Sequence, residues 1–284
     1  MSGAKVRDLM RSVREALSSS GVEGACLEAR LILSAALGVP QELLLSRPEL
    51  ELSEEEVSRV ESMVRGRSTR DPLAYVLGEW EFFGLRLKVL RGVFVPRPET
   101  EILVEKALSL AGEGGTILDW GCGSGCIGLA FLVHRPGWRL WAMDTSARAI
   151  SNAWMNFKEH GLMGKVRLVH GSNRSLSSSV EFDLIASNPP YIPTAELEYL
   201  MPEVRREPRE ALDGGPDGTR CYLQVLELAG ERLVEGGFLL LELGPAGIGE
   251  VLSERGAEMG LRAVETVYDL RGLPRVLVLR RVRP

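Results

Sequence analysis

The sequence predicts an α/β protein: a doubly wound, mostly parallel sheet preceded by a small helical bundle. Three observations carry this. From residue 116 onward, strand-length apolar runs alternate with helical segments. A glycine-rich turn joins the first of those strands to its helix. The first 80 residues, by contrast, carry only helical periodicity. At 284 residues the chain has room for two domains, each with a core of its own.

In the N-terminal stretch Val6, Leu9, Met10, Val13, Ala16 and Leu17 recur at the spacing of one helix face, and Ser18 to Gly21 ends the pattern. A second helix is expected over 28–37, stopped by Gly38 and Pro40, and a short third over 41–45. Ser53 followed by Glu56 is a capping box, opening a helix that buries Val57, Val60 and Val64. Asp71 and Pro72 begin a last short helix that runs through Leu73, Tyr75 and Val76 to Gly78. Residues 1–80 thus form a bundle, either a stabilising appendage or a module that recognises a partner.

Leu85, Leu87 and Val89 alternate with Arg86, Lys88 and Leu90, and Arg91-Gly92 supplies a turn before Val93, Phe94 and Val95. A β-hairpin over 81–95 is therefore expected to link the bundle to a second domain, 96–284. Pro96, Arg97, Pro98, Glu99, Thr100 and Glu101 stiffen the join and open a helix with carboxylates near its positive end. Arg97 and Glu99 are candidate substrate contacts, with solvated linker charge as the other role open to them.

In the second domain Thr116 to Asp119 reads as a strand, followed by Gly121, Cys122, Gly123, Ser124 and Gly125 and then an apolar helix. The glycines permit a tight turn and close approach of a ligand to the backbone. A dinucleotide fingerprint wants glycine or alanine where this chain has Cys126. The Asp-x-Gly-x-Gly-x-Gly pattern that begins at Asp119 suits S-adenosylmethionine, which carries no pyrophosphate; another nucleotide is the alternative. The next strand, 138–144, ends on Asp144, about twenty residues beyond the loop, where a carboxylate accepts both hydroxyls of a ribose. Asp144 equally suits the N-cap of the helix over 146–160, and the two roles are compatible. After a third strand, 166–169, the turn Gly171, Ser172, Asn173 is expected beside an adenine ring.

The fourth strand, Phe182 to Ser187, runs into Asn188, Pro189, Pro190 and Tyr191. Proline fixes φ and donates no hydrogen bond, so the strand gives way to a stiff loop at its C-terminal end, where open α/β sheets bind ligands. This loop suits a planar NH2 group. The Asn188 side-chain oxygen accepts one N–H and a carbonyl such as that of Pro189 the other, while Tyr191 and the prolines pack the faces. The bland alternative is an ordinary strand-to-loop turn. Thereafter 223–233 is helical, Gly236-Gly237 turns, 238–243 is a strand, and 263–268 with 275–279 close the chain as an antiparallel pair.

The net charge of -5 and isoelectric point near 5.5 argue against a general basic surface, so no stable nucleic-acid partner is expected. Cys26, Cys122, Cys126 and Cys221 share no metal-ligand spacing with His134, His160 and His170, so no metal site is expected. Reduced thiols, a charged N-terminus and the lack of any run of membrane-spanning length fit a cytoplasmic protein, expected to be a monomer.

With these motifs placed, the chain strongly resembles the HemK/PrmC family of class I methyltransferases, the protein-(glutamine-N5) methyltransferases of peptide chain release factors. The resemblance runs nearly end to end. It takes in 72–78 with Phe82 or Phe83 and Gly84, then 94–101, 119–125, Asp144, 188–191, and Glu207, Pro208, Ala211, Leu212, Gly215, Asp217 and Gly218. It ends on Glu242, Leu243 and Gly244. The Asn-Pro-Pro-Tyr tetrad alone is shared with enzymes that methylate adenine or guanine amino groups in nucleic acids. The Pro-Arg-Pro-Glu-Thr segment and the helical N-terminal domain are more specific to the family.

The resemblance implies the class I S-adenosylmethionine-dependent methyltransferase fold, Rossmann-like, with a mostly parallel seven-stranded sheet and a terminal antiparallel hairpin. It implies methyl transfer from S-adenosylmethionine to the glutamine of the Gly-Gly-Gln loop in class I release factors, in support of translation termination, with S-adenosylhomocysteine as product. Release-factor recognition then falls to the N-terminal bundle. Carried onto this chain, the cofactor set is Asp119, Gly121, Cys122, Gly123, Ser124, Gly125, Asp144, Asn173 and Asn188. Asn188, Pro189 and Tyr191 are the catalytic candidates, and Asn188, Pro189, Pro190 and Tyr191, with Arg97 and Glu99, contact substrate. The chain departs from the family at Ser172 and Asn173, where an acidic residue and an aromatic are common. Trp120, Cys122 and Cys126 also replace small or aliphatic residues and leave the glycine spacing intact. A nucleic-acid amino-methyltransferase and a non-catalytic cofactor-binding protein are the rival readings.

Overall fold

The computed structural model describes residues 4–244 and 248–282. The chain divides into two compact units, Met1–Glu79 with Met201–Arg206, and Trp80–Leu200 with Glu207–Pro284.

The first unit contains α1 (Val6–Ser19), α2 (Ala25–Leu37), α3 (Gln41–Ser46), α4 (Glu54–Ser68) and α5 (Leu73–Leu77). Their apolar faces meet in a core that includes Val13, Leu17, Ile32, Leu33, Leu44 and Val60. The capping box forms, with Ser53 N donating to Glu56 Oε2 over 2.8 Å and Glu56 N donating to Ser53 Oγ over 3.2 Å. Helix α2 starts three residues earlier than its periodicity suggests, directly after Gly24 in the left-handed conformation. The segment 201–206 joins this unit although it lies far along the chain. Glu203 receives Arg67 Nη2 at 2.9 Å and Arg70 Nε at 2.7 Å, and the buried Arg67 also donates to Glu28. Burial works to raise the Glu203 pKa, yet the hydrogen bonds from Arg70, its own backbone N–H and Arg67 prevail and draw it down to about 2.

A two-stranded hairpin pairs Glu79–Phe82 with Leu85–Lys88. Its turn residues Phe83 and Gly84 both have positive φ, 52° and 70°, as a two-residue hairpin turn demands. This corrects the expected hairpin over 81–95, because the turn falls at 83–84 and residues 89–99 form no strand. Side chains take several donors in and just before that stretch, Lys88 N to Asn156 Oδ1 at 2.8 Å, Leu90 N to Asn152 Oδ1 at 2.7 Å and Val95 N to Glu207 Oε2 at 3.0 Å, while Val93 N turns back to Leu90 O at 3.0 Å. Val89, Val93 and Val95 are nonetheless buried, so the alternation reflected anchoring and not pairing.

The main sheet comprises β1 (Gly115–Trp120), β2 (Trp138–Asp144), β3 (Val166–His170), β4 (Phe182–Ser187), β5 (Leu233–Glu242), β6 (Leu261–Tyr268) and β7 (Pro274–Arg281). Its order is β6-β7-β5-β4-β1-β2-β3. Strands β1 to β5 run parallel, and β7 is antiparallel to both β5 and β6. The expected seven-stranded sheet with a terminal hairpin is therefore present. Around it lie α6 (Thr100–Leu110), α7 (Cys126–His134), α8 (Ala147–Glu159), α9 (Arg220–Arg232) and α10 (Ile248–Glu258). Gly236 and Gly237 sit inside β5, where the register against β4 shifts between Leu233 and Phe238, and do not form a separate turn.

Neighbouring residues of the central strands feed opposite cores. Ile117, Leu184 and Leu240 join one cluster, while Leu118, Ile185, Leu239 and Leu241 join the other. Burial on both faces explains why these strands read as continuous apolar runs without alternation. Each such side chain contributes about 1.5–3 kcal/mol by leaving water. After β3 the chain returns to the other side of β1, so the loops leaving β1 and β4 diverge and open a crevice at the C-terminal edge.

Candidate active site

That crevice is a cavity of about 780 Å³, ample for a nucleoside-sized ligand. The turn after β1 forms one wall. Gly121 and Gly123 adopt φ of 70° and 54°, and a Cβ on either would meet no protein atom within 4 Å. These two glycines serve the turn and leave the backbone open to a ligand. Gly125 (φ 82°) differs, since a Cβ there would press on Phe157 at 3.0 Å, and it does not line the cavity. Gly121 N and Cys122 N both donate to Met143 O at 2.9 Å, which pins the turn to the end of β2. Cys122 and Ser124 complete this wall.

Asp144, the last residue of β2, accepts Gly123 N on Oδ2 at 2.9 Å and Ser146 N on Oδ1 at 2.8 Å. Each oxygen keeps a lone pair for a further donor such as a ribose hydroxyl. Burial raises its pKa against the opposing pull of those two N–H groups. The helix-capping role expected of Asp144 belongs to Ser146, whose hydroxyl accepts Ala149 N. Asp119 lies beneath the turn and does not reach the cavity wall. Its Oδ2 accepts Gly128 N at 3.0 Å, tying β1 to α7, and its Oδ1 has no partner among the described residues. Burial pushes its pKa up to about 7, opposed by the Gly128 bond.

Two of the departures from the family pattern turn out to be partners. The Trp120 indole N–H donates to Asn173 Oδ1 at 2.7 Å, and Asn173 Nδ2 donates to Gln224 O at 2.8 Å. Both residues line the cavity. The Asn173 amide is engaged at both ends, and Trp120 brings an aromatic surface to the wall that the position of Asn173 itself lacks.

Across the cavity stands Asn188, at the end of β4. Its Nδ2 donates to Thr100 Oγ1 at 3.1 Å, which leaves Oδ1 without a partner among the described residues. Ser187 Oγ donates to Trp120 O at 2.8 Å and joins the β4 and β1 loops at their base. Pro190 lines the cavity with Asn188, whereas Pro189 and Tyr191 stand behind them. Three glycines hold Tyr191. A Cβ on Gly214 would lie 2.8 Å from Tyr191 Cα, one on Gly218 would lie 2.4 Å from Tyr191 O, and one on Gly244 would lie 2.4 Å from the ring. Burial raises the Tyr191 phenol pKa.

Arg97 and Glu99 do not line the cavity. Arg97 pairs with the buried Glu207, whose other oxygen accepts Val95 N, and stacks 4.8 Å above the Phe94 ring centroid. Glu99 faces Arg275 at 3.8 Å. Arg97 thus clamps the segment that brings Phe94, Pro96 and Thr100 to the cavity. Residue-by-residue reading of the sequence gave no site role to Thr100, Glu207 or the three glycines around Tyr191; only their match to the family pattern marked Thr100, Glu207, Gly218 and Gly244. Among the described residues no cluster could hold a metal ion, and no helix is long and apolar enough to cross a membrane.

The comparisons with known proteins agree with this geometry. The family model described as the PrmC N-terminal domain matches residues 8–78, and that of the methyltransferase small domain matches 85–215. A release factor glutamine methyltransferase of Geobacter sulfurreducens is 41% identical over 96% of this chain and 95% of its own. Another, of Caulobacter vibrioides, is 35% identical over 94% and 93%. The crystal structure of a methyltransferase from Pyrococcus furiosus superposes with a TM-score of 0.55 at 22% identity, covering 71% of this chain and 91% of that one, and shares the class I methyltransferase fold. Identity of this order along nearly the whole length of both chains, on a fold whose crevice joins an open glycine turn to a free asparagine acceptor, places the chain in the release factor glutamine methyltransferase family.

Proposed function

We propose that Asn188 holds the substrate glutamine by its side-chain NH2 and aims the amide nitrogen at the methyl donor. The activity is that of an S-adenosylmethionine-dependent methyltransferase acting on release factor glutamine. The observation that supports Asn188 in this role is its hydrogen bond to Thr100: with Nδ2 committed there, Oδ1 is an acceptor at the wall of the same cavity as the glycine turn. The finer reading is that the target is the Gly-Gly-Gln glutamine, that the first unit recognises the release factor, and that the enzyme works as a cytoplasmic monomer.

The site suits the donor. Gly121 and Gly123 leave room where side chains would intrude, and Asp144 offers one free lone pair per oxygen toward a ribose. When bound, S-adenosylmethionine supplies a sulfonium methyl that is already strongly electrophilic. An amide nitrogen is a poor nucleophile because its lone pair is delocalised, so alignment matters more than a strong base. Asn188 Oδ1 accepts one of the two N–H groups, which orients the nitrogen and favours positive charge as it develops there. A neutral acceptor serves better than a carboxylate, which would also hold the cationic donor's ground state. The surplus proton leaves after transfer.

The test mixes purified protein and methyl-labelled S-adenosylmethionine with a release factor, beside a factor whose Gly-Gly-Gln glutamine is alanine. Peptide mass spectrometry should find label on that glutamine alone. Asn188→Ala should abolish transfer while retaining donor binding by calorimetry. Label on RNA or DNA and none on the factor would overturn the reading.

A further inference from the structure

Trp120 ends β1, and its indole reaches the turn that follows β3, two strands away across the sheet. The ring N–H donates to Asn173 Oδ1 at 2.7 Å, and Asn173 Nδ2 donates to Gln224 O on α9 at 2.8 Å. An indole only donates and a backbone carbonyl only accepts, so these two partners admit a single orientation of the Asn173 amide. The Trp120 backbone is fixed as well, since its carbonyl takes the Ser187 hydroxyl and its strand partner is Met143 of β2. The side chain packs on the core cluster that contains Met143 and Leu226, yet Trp120 is only half-buried and lines the cavity.

We propose that Trp120 is the platform on which the adenine of the methyl donor stacks, with Asn173 as the positioning residue that holds the indole there. The argument rests on the reading of this cavity as the donor's site and on the order of its parts. Along the C-terminal edge of the sheet, the strand order β4-β1-β2-β3 sets out Asn188, the glycine turn, Asp144 and Asn173 in turn. S-Adenosylmethionine carries its ribose between the sulfonium and the base. With the methyl facing Asn188 and the ribose on Asp144, the base falls toward the β3 end. A purine offers two flat π faces, for which an aromatic side chain is the natural partner. Among the described residues that line the cavity only Trp120 and Phe94 carry aromatic rings. Phe94 belongs to the segment leading into Thr100, the partner of Asn188, at the opposite end. Trp120 is therefore the ring available to the base.

Asn173 acts through that ring. Its acceptor is committed to the indole and one amide proton to α9, so its effect is to immobilise Trp120. An unpinned indole turns about two torsions, and holding it beforehand spares the donor the cost of ordering it.

The experiment titrates S-adenosylhomocysteine, and separately adenosine, into the full chain and its variants Trp120→Leu, Trp120→Phe, Asn173→Ala, the Asn173→Ala/Trp120→Phe pair and Asp144→Asn. It reads affinity by calorimetry, indole emission and melting temperature. Trp120→Leu keeps apolar bulk without a ring face and should weaken both ligands by the same factor, about 5- to 150-fold. Asn173→Ala leaves the ring unpinned and should weaken them about two- to tenfold. Trp120→Phe keeps a ring and loses the same bond, so it should match Asn173→Ala, and the pair should lose little beyond either. Of the five tryptophans, Trp120 should account for the quenching of emission on saturation, so Trp120→Phe should abolish the quench. A merely structural role would lower the melting temperature and leave affinity and quench intact. Affinity within twofold for Trp120→Leu, a loss confined to S-adenosylhomocysteine, or a quench that survives Trp120→Phe overturns the platform. Should the Trp120 variants fail to fold, Asn173→Ala decides alone, and unchanged affinity there overturns it. If Asp144→Asn loses affinity while Trp120→Leu keeps it, the donor's site stands without this platform; if neither loses affinity, both readings fall.

Discussion

Gly244→Ala tests how tightly the substrate loop is held. An added Cβ would lie 2.4 Å from Tyr191 Cδ2, 2.7 Å from Cγ and 3.0 Å from Cε2. Carbon atoms in contact sit about 3.5–4.0 Å apart, so the ring must retreat by about 1 Å. The backbone offers no relief and adds no penalty, because Gly244 lies outside the left-handed region that disfavours alanine. Overpacking of this kind costs about 1–3 kcal/mol in stability. Tyr191 backs Asn188 and Pro190, and a misplacement of about 1 Å at a reacting group costs about a hundredfold in rate. The assay is kcat/KM for release-factor methylation beside donor affinity by calorimetry, with Gly112→Ala as control, since a Cβ at that position meets nothing within 4 Å. The expected outcome is a loss of about a hundredfold in kcat/KM with donor affinity kept. A kcat/KM within twofold of the control would refute the inference that these glycines set the loop.

Asp144→Asn removes one acceptor from a carboxylate both of whose oxygens already take backbone N–H groups, and should weaken donor binding by about 1–3 kcal/mol, or roughly 5- to 150-fold; unchanged affinity by calorimetry would contradict the ribose role. Glu207→Ala strands Val95 N and Arg97, and at about 2–4 kcal/mol should lower the melting temperature by roughly 5–15 °C. A fall under about 2 °C would show that the clamp is dispensable. Asp119 and Glu242, whose folded pKa values of about 7 exceed their ordinary ones, bind protons in the folded state first. Their contribution is fully present below the unfolded pKa and lost as pH rises through about 7. Denaturant melts should therefore show stability gained from about pH 8 to 5, and Asp119→Asn should flatten that slope. Glu203, drawn down to about 2, acts oppositely: its stabilisation holds above its ordinary pKa of 4.5 and disappears as pH falls through about 2. Hydrogen exchange corrected for intrinsic rates should accordingly show α4 opening first in acid.

What the sequence made legible was contiguous. The glycine turn and the Asn188 tetrad are short runs in which each residue conditions its neighbour, and both fall at strand ends that periodicity already marks. What it concealed depends on distance along the chain. Thr100 reads only as the opening of a helix, and its bond to Asn188 spans 88 positions. Trp120 and Asn173 look like two unrelated oddities until they meet across 53. The misplaced hairpin has a local cause: alternating Leu85, Leu87 and Val89 bury the same faces whether the backbone pairs with a strand or with Asn152 and Asn156. Asp119, by contrast, carries the expected motif position without reaching the cavity, because the same carboxylate that suits a ligand also suits the start of a helix.

The six residues 201–206 make the first unit discontinuous in sequence. The chain passes between the units three times, and the last two passages flank a carboxylate that neutralises the buried Arg67. A protein cut before residue 80 would keep Glu203 but lose Arg67 and Arg70, and the severed bundle would keep a desolvated guanidinium deprived of one of its two counter-charges. Neither half is therefore a portable cassette. Fusion, shuffling or loss of the N-terminal region must reckon with a strap encoded between Tyr191 and Glu207, and the bundle is tied to this catalytic scaffold by its connectivity as well as by its linker.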